Sequence, residues 1–252
     1  MRFKINFKGV NSNVPFDTQF SVNSYVHSCL GRNNPYHDAK SDYNVSGLMG
    51  GGLNNDKSGL SFNNDAFIIV SSLDMQFMNT LLMGIISNQE FAYGMKLSDV
   101  EHVHEELFDG WNHFTTLRPI LLKKERSPKG RADYWTIDHP EYAEQLRSHI
   151  VGKLTKIDPK LDLSGLELKV PDRPFNKVQR IMVKNIPNFA TNCWVSIKAP
   201  KKVIQMIYHL GLGQSTGSGF GTVCLNKNYG MYGDRSAVRN EKVDEKAAVE
   251  AV

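Results

Sequence analysis

The sequence is poor in cysteine. Cys29, Cys193 and Cys224 are the only three in 252 residues, and no two of them form a C-x-x-C pair. So sparse and odd a count argues against a disulfide scaffold, points to a reducing compartment and leaves no cysteine-based zinc site. Long apolar runs are also missing. Leu81–Leu82–Met83 and Gly84–Ile85–Ile86 are short, far below the roughly 20 residues of a membrane span. The start, Met1-Arg2-Phe3-Lys4-Ile5-Asn6-Phe7, alternates polar and apolar residues, so no secretory leader is expected. The expectation is a cytoplasmic protein with no membrane partner. Strong net charge is the third absence. Thirty Lys and Arg stand against 26 Asp and Glu, a balance of +4 that does not by itself call for a polyanionic partner.

What is present is ordinary globular composition, 40% hydrophobic, in a length that suits one or two domains, each able to bury a core. The charge is unevenly placed. Residues 159–202 hold nine Lys or Arg against three acids, and residues 118–131 hold six against one. Residues 99–109 hold five acids and no Lys or Arg. A basic excess gathered in the second half is the footprint of a phosphate-backbone reader, or else of solvated strand faces.

The periodicity predicts a β-α-β-β-α-β order, followed by a second. In residues 1–8, Phe3, Ile5 and Phe7 share one face, which predicts a half-buried strand. Asn11 to Pro15 reads as a loop. Phe20, Tyr25, Val26, Cys29 and Leu30 recur at helical spacing, with Gly31 suited to stop the helix. Strands are expected over Val45–Leu48, Gly59–Phe62 and Ala66–Val70, a helix over Met75–Ile86 with Met75, Met78, Leu82 and Ile86 in line, and a strand within Phe91–Val103. The second unit takes strands over Phe114–Leu122, Leu166–Val170, Val178–Val183, Trp194–Ile197 and Thr222–Leu225, and helices over Pro140–Leu154 and Pro200–His209. It holds more extended segments than the template needs, so an extra strand or hairpin is expected. The fold class is therefore α+β, as tandem ferredoxin-like (RRM-like) domains over 1–109 and 110–225. Residues 226–252 lose periodicity and read as a flexible tail.

Residues 211–223 read Gly-Leu-Gly-Gln-Ser-Thr-Gly-Ser-Gly-Phe-Gly-Thr-Val. Glycines let the backbone adopt positive φ and approach a ligand, with amide N–H groups free to meet phosphate oxygens. A P-loop is excluded because the required Lys is missing. A dinucleotide fingerprint is excluded because the order is helix, loop, strand and the sixth position is Thr216 or Thr222. A tight helix-to-strand turn that only packs is the plainer alternative.

The pattern Gly-φ-Gly-x5-Gly-φ-Gly-x-φ between the last helix and the last strand resembles the hallmark loop of the CRISPR repeat-processing endoribonucleases, the Cas-six family of RAMP proteins. Its anchors here are Gly211, Leu212, Gly213, Gly219, Phe220, Gly221 and Val223. The strand Met1–Phe7, the helix segment Tyr25-Val-His-Ser-Cys-Leu and the segment Pro35-Tyr-His-Asp-Ala-Lys before Tyr43 are similar to that family's first strand, first helix and histidine-bearing segment. The resemblance covers residues 1–225. Many relatives carry a Lys or Arg in the x5 segment; here it is Gln214, Ser215, Thr216, Gly217 and Ser218.

The resemblance implies metal-free cleavage of CRISPR repeat RNA. The 2′-hydroxyl attacks the adjacent phosphorus and leaves a 2′,3′-cyclic phosphate and a 5′-hydroxyl. Such a reaction needs a proton acceptor, a proton donor and a group that stabilises the phosphorane charge. Histidine suits the first two, with an ordinary pKa of about 6.5. His37 coincides with the family's histidine, His27 stands where relatives have Tyr or His, and Lys40 is the candidate for phosphate charge; Tyr36, Tyr43 and Ser46 are minor candidates. The residues expected to meet RNA are Gly211, Gly213, Ser215, Ser218, Gly219, Phe220 and Gly221 of the loop, with Arg118, Lys123, Lys177, Arg180 and Lys184 outside it. No cofactor and no metal are expected. CRISPR effector complexes and a second copy of the chain are the further partners the resemblance implies. Trp111, Trp135 and Trp194 are expected in the core rather than stacked on bases.

Two other readings follow from the residues. His102 and His104 lie two apart on an expected strand and could share a metal, but no third ligand is evident. A non-catalytic RNA-binding subunit of a CRISPR effector complex is the alternative to the enzyme. A general tandem RRM module ranks below both, because no aromatic RNP motif is found.

Overall fold

The computed structural model describes residues 1–36, 42–104, 106–107, 109–124, 133–183 and 186–226. The first unit runs β1 (Arg2–Lys8), β2 (Val10–Val14), α1 (Gln19–Leu30), β3 (Tyr43–Val45), β4 (Gly52–Leu53), β5 (Leu60–Asn63), β6 (Ala66–Ser72), α2 (Met75–Ser87) and β7 (Lys96–His102). The second runs β8 (Gly110–Thr116), α3 (Tyr142–Ile157), β9 (Glu167–Lys169), β10 (Lys177–Val183), β11 (Ile186–Asn192), β12 (Trp194–Ala199), α4 (Lys201–Leu210) and β13 (Val223–Leu225). Each unit holds a four-stranded antiparallel sheet, β3-β6-β1-β7 and β13-β8-β12-β9. With the sheet strands of each unit counted in chain order, both read second, third, first, fourth. This is the tandem ferredoxin-like arrangement expected from the sequence.

The alternation in β1 does what its period requires. Phe3, Ile5 and Phe7 pair with Val70, Ile68 and Ala66 of β6 and are buried under the helices. Phe7 stacks on Phe91 at 4.6 Å, and Tyr25 meets both rings edge-on. α1 ends at Gly31, whose φ of +90 allows its N–H to reach Ser28 O. α2 begins at Met75 because the Asp74 carboxylate accepts from the amides of Gln76 and Phe77.

Two expectations are corrected. Residues 11–15, read as a loop, contribute to β2, which pairs with β5 through an irregular register; its Asn-rich sequence carries no alternation to read. α2 buries Phe77, Met78, Leu81 and Ile85, whereas Met75 and Ile86 are 48% and 55% exposed. Its polar residues Gln76, Asn79, Thr80 and Ser87 lie on the side opposite those four, so the periodicity of the whole helix marks the buried face and the line through Met75 and Ile86 falls at its margin. Gly84 lies against the carbonyl of Cys29 in α1. The strand expected within Phe91–Val103 is β7, which a 3-10 turn over Ala92–Gly94 precedes. The extra hairpin foreseen in the second unit is β10–β11.

The open face of the first sheet carries the second unit. Arg2, on the face of β1 opposite Phe3, is 1% exposed; its Nη2 donates to Val223 O at 2.6 Å and its guanidinium lies 4.2 Å over the Tyr208 ring. Ser71 Oγ donates to His209 O at 2.8 Å. Asn44 of β3, also 1% exposed, donates from Nδ2 to Thr216 O and Phe220 O at 3.2 and 3.0 Å and accepts from Thr222 Oγ1 at 2.8 Å. One side chain thus fastens β3 to the middle and to the C-terminal end of the glycine-rich loop.

Two substitutions test this junction. Gly221 has φ +67, and a Cβ there would collide with the carbonyl of Leu212, so Gly221→Ala is expected to destabilise the chain beyond the ~1 kcal/mol of a merely strained glycine site. Gly94, at φ +71 with open space around it, is the control. Asn44→Leu strands two buried carbonyls and a hydroxyl, with an expected loss of about 3 kcal/mol. Urea unfolding monitored by circular dichroism measures both.

Candidate functional site

The glycine-rich loop is a seam before it is a surface. Gly211, Leu212, Gly213, Gly219, Phe220 and Gly221 are buried. Phe220 is 2% exposed and packs with Leu121 and Ala190. Gly219 lies against Gln19 of α1, and its carbonyl accepts from Arg118 Nε at 3.3 Å. The Arg118 guanidinium also lies against Gly47, and burial lowers its pKa. The expectation that the whole loop and Arg118 face RNA is therefore corrected. Gly211, Gly213, Gly219, Phe220, Gly221 and Arg118 build the junction, because a backbone threaded between two packed units has its faces covered. Ser215 is exposed and Gln214 and Ser218 are partly so. Ser215 adopts a left-handed conformation, φ +55.

Those residues form one wall of a cleft of about 1010 Å³, whose other walls are α3, through His149, Gly152, Lys153 and Lys156, and Asp42. His149, Lys153 and Lys156 stand at i, i+4 and i+7 on one helix face. Lys153 Nζ donates to Leu210 O at 2.9 Å and to Thr216 Oγ1 at 3.2 Å, which ties α3 to the loop. Burial lowers the Lys153 ammonium to about 8, with Asp42 acting in the opposite direction. The sequence reading missed Lys153 and Lys156. Their helical spacing with His149 was the available signal, but nothing local says which loop they face.

His37 and Lys40 lie outside the described residues, as does Lys184. Tyr36 meets the Phe77 ring edge-on at 4.9 Å, and Tyr43 stacks on that ring at 4.6 Å. Tyr36 OH also donates to Asp74 Oδ2 at 3.0 Å. Tyr36 and Tyr43 thus pack on one side chain of α2, and Asp42 lines the cleft. His27 is partly buried on α1. It stands eight residues, about 12 Å of helix rise, beyond Gln19, and it is Gln19 that touches the glycine loop. Ser46, a minor candidate, is buried and bonded to Gly47 O and Ile69 N.

Among the other basic candidates, Lys123 is exposed next to the loop, its amide donating to Gln214 Oε1 at 3.2 Å. Lys177 and Arg180 are exposed on β10, three residues apart and so on opposite faces. Each tryptophan carries a cation over its ring: Lys169 on Trp111, Lys124 on Trp135 and Arg173 on Trp194, at 4.8, 4.5 and 5.1 Å. Trp194 is buried, and the other two are partly so. His102 is exposed at the end of β7, with its ring edge-on to Phe3, and His104 lies past the strand. Among the described residues there is no group of three or more His, Cys, Asp or Glu placed to hold a metal ion. No helix among them is long and apolar enough to cross a membrane.

Two partly buried histidines set an acid limit on the fold. His149 is lowered to about 4 by burial, then by Lys153 and Lys156; His209 is lowered to about 4 by burial, then by the N-terminal amine, Arg2 and His102. The unfolded chain, with ordinary histidines near 6.5, binds more protons between those values. Stability from this source is complete above about 6.5 and is lost as pH falls toward 4. Urea midpoints at pH 7.5, 5.5 and 4.5 should fall in that order, and the double variant His149→Gln, His209→Gln should flatten the decline.

Residues 103–225 match the family described as CRISPR associated protein Cas6, C-terminal. No curated protein sequence matches the chain. Among solved structures, the chain is similar to a Cas6-related protein from Pyrococcus furiosus, with a TM-score of 0.78 at 18% identity over 91% of this chain and 99% of that one. It is also similar to a RAMP protein described as binding different RNA substrates, with a TM-score of 0.77 at 17% identity over 90% of this chain and all of that one. A third neighbour is a Cas6 product complex, with a TM-score of 0.65 at 12% identity over 89% of this chain and 99% of that one. At these identities the structural matches establish the fold, and the family match covers the second unit with its glycine-rich loop. Residues 103–225, just under half of the chain, carry the Cas6 C-terminal domain.

Proposed function

We propose that this protein cleaves CRISPR precursor RNA within its repeats, without metal, by attack of a 2′-hydroxyl on the adjacent phosphorus. The products are a 2′,3′-cyclic phosphate and a 5′-hydroxyl, and the released pieces serve as guide RNA. The observation that carries this reading is the cleft. Its loop wall presents Ser215 and Ser218, its helix wall presents Lys153 and Lys156, and Asp42 stands at its edge. Hydroxyls and ammonium groups on facing walls suit a phosphodiester. In this reading His37 and His27 divide the roles of proton acceptor and donor, and Lys40 meets the charge that gathers on the phosphorane. Burial holds His149 neutral at physiological pH, so it adds no cation to the cleft. The similar proteins described as a product complex and as an RNA-binding RAMP protein support an RNA substrate.

A second reading, a non-catalytic RNA-binding subunit of an effector complex, is favoured by the position of His27, two turns away from the residue of α1 that touches the loop.

End-labelled repeat RNA from the protein's own locus, incubated in excess EDTA, separates the two. The proposal expects cleavage in EDTA, none when a single 2′-deoxy sugar stands at the cut, and a cyclic phosphate on the product. His37→Ala is expected to lower the rate by about 10²–10⁴ with RNA binding intact. Tight binding with no cleavage supports the second reading. Cleavage only with added metal overturns the mechanism and returns attention to His102 and His104.

A further inference from the structure

The β10–β11 hairpin stands outside both four-stranded sheets and exposes apolar side chains that neither core uses. Phe189 is 41% exposed and Ile186 is 61% exposed. Phe175, just before β10, is 43% exposed. Arg180 pairs directly with Phe189 across the hairpin, so the two side chains share a face. The Tyr134 ring meets Phe189 edge-on at 5.7 Å, and its hydroxyl donates to Pro187 O at 3.0 Å, which fixes one aromatic against the next. From Arg173 to Asn192 the sequence holds four Lys or Arg and no Asp or Glu.

This face is continuous with the cleft. Lys123 and Tyr134 are bridged across their backbones, and Lys123 also contacts Gln214 of the glycine-rich loop. A path therefore runs from Ser215 and Gln214 past Lys123 and Tyr134 to Phe189 and Arg180. The three tryptophans already carry protein cations over their rings, whereas much of Phe189 faces solvent. A protein docking on this face would have to cover Arg180 without an acid on the hairpin to pair it. A polyanion with flat apolar faces satisfies the cations and the phenyl ring together.

We propose that the outer face of the hairpin is a stacking platform for unpaired RNA, with a base on Phe189 braced by Tyr134 and the neighbouring phosphates on Arg180 and Lys123. The platform rests on the RNA reading above and adds to it a preference for single strands. A duplex keeps its bases stacked on one another and cannot offer a free face to Phe189.

The test is fluorescence anisotropy with the full chain and two labelled probes, a 20-nucleotide oligouridylate and a 20-base-pair duplex of oligoadenylate with oligouridylate. Phe189→Ala is expected to weaken single-strand binding by about 5- to 100-fold and to leave the duplex unchanged; Phe189→Trp should restore it. Arg180→Ala should lower the salt slope for the single strand by about 0.7. Unchanged oligouridylate binding in Phe189→Ala, or equal losses on both probes, overturns the platform. Single-strand binding that depends on Phe189 in a protein that cuts no repeat RNA keeps the platform and overturns the nuclease. Cleavage of repeat RNA by a Phe189→Ala variant that binds both probes normally does the reverse.

Discussion

The architecture depends on burying a polar seam between two half-covered sheets. Each ferredoxin-like unit covers one sheet face with its own helices, and the open face of the first sheet meets the second unit through α4 and the glycine-rich loop. That junction contains backbone carbonyls of Thr216, Phe220, Val223 and His209, and each accepts a side-chain hydrogen bond from the first unit. An unpaired buried carbonyl costs about 1–3 kcal/mol, so the four bonds together hold the two units in one register. Asn44 alone supplies two of them. The glycines are needed because the loop must pass where side chains would collide with backbone.

The same seam explains how charge is distributed around the site. Part of the basic excess of the second half is answered locally. Lys198 pairs with Glu167, Lys202 with Asp158 and Lys124 with Asp133. These exposed pairs are worth at most about 1 kcal/mol each, but they reduce the field those cations present to a phosphate backbone. Arg118 is held inside the junction by Gly47 and Gly219. The exposed Lys123, Lys156, Lys177 and Arg180 are left along the cleft and the hairpin.

The glycine-rich loop therefore does two jobs with different residues. Gly211, Gly213, Gly219 and Gly221 have positive φ and shape the turn. The x5 segment between them carries the surface, and here that surface is hydroxyl and amide rather than cation. Lys153, entering from α3 and bonded to Thr216, puts an ammonium beside a loop that has none of its own.

Much of this was legible from local pattern. The alternation in β1, the helix stop at Gly31, the double β-α-β-β-α-β order and the seven-position glycine motif are short-range features, and each follows from backbone geometry and side-chain period. The buried face of α2 was open to reading from its polar residues, because Gln76, Asn79, Thr80 and Ser87 lie opposite Phe77, Met78, Leu81 and Ile85. The cleft was not legible, since Asp42, Lys153 and Ser215 are scattered over some 170 positions of chain. The sequence by itself determined the units, their order and the chemistry available to them. Only the tertiary structure decided which charges are buried, paired or left to meet a ligand, because desolvation and pairing depend on neighbours that chain proximity does not specify.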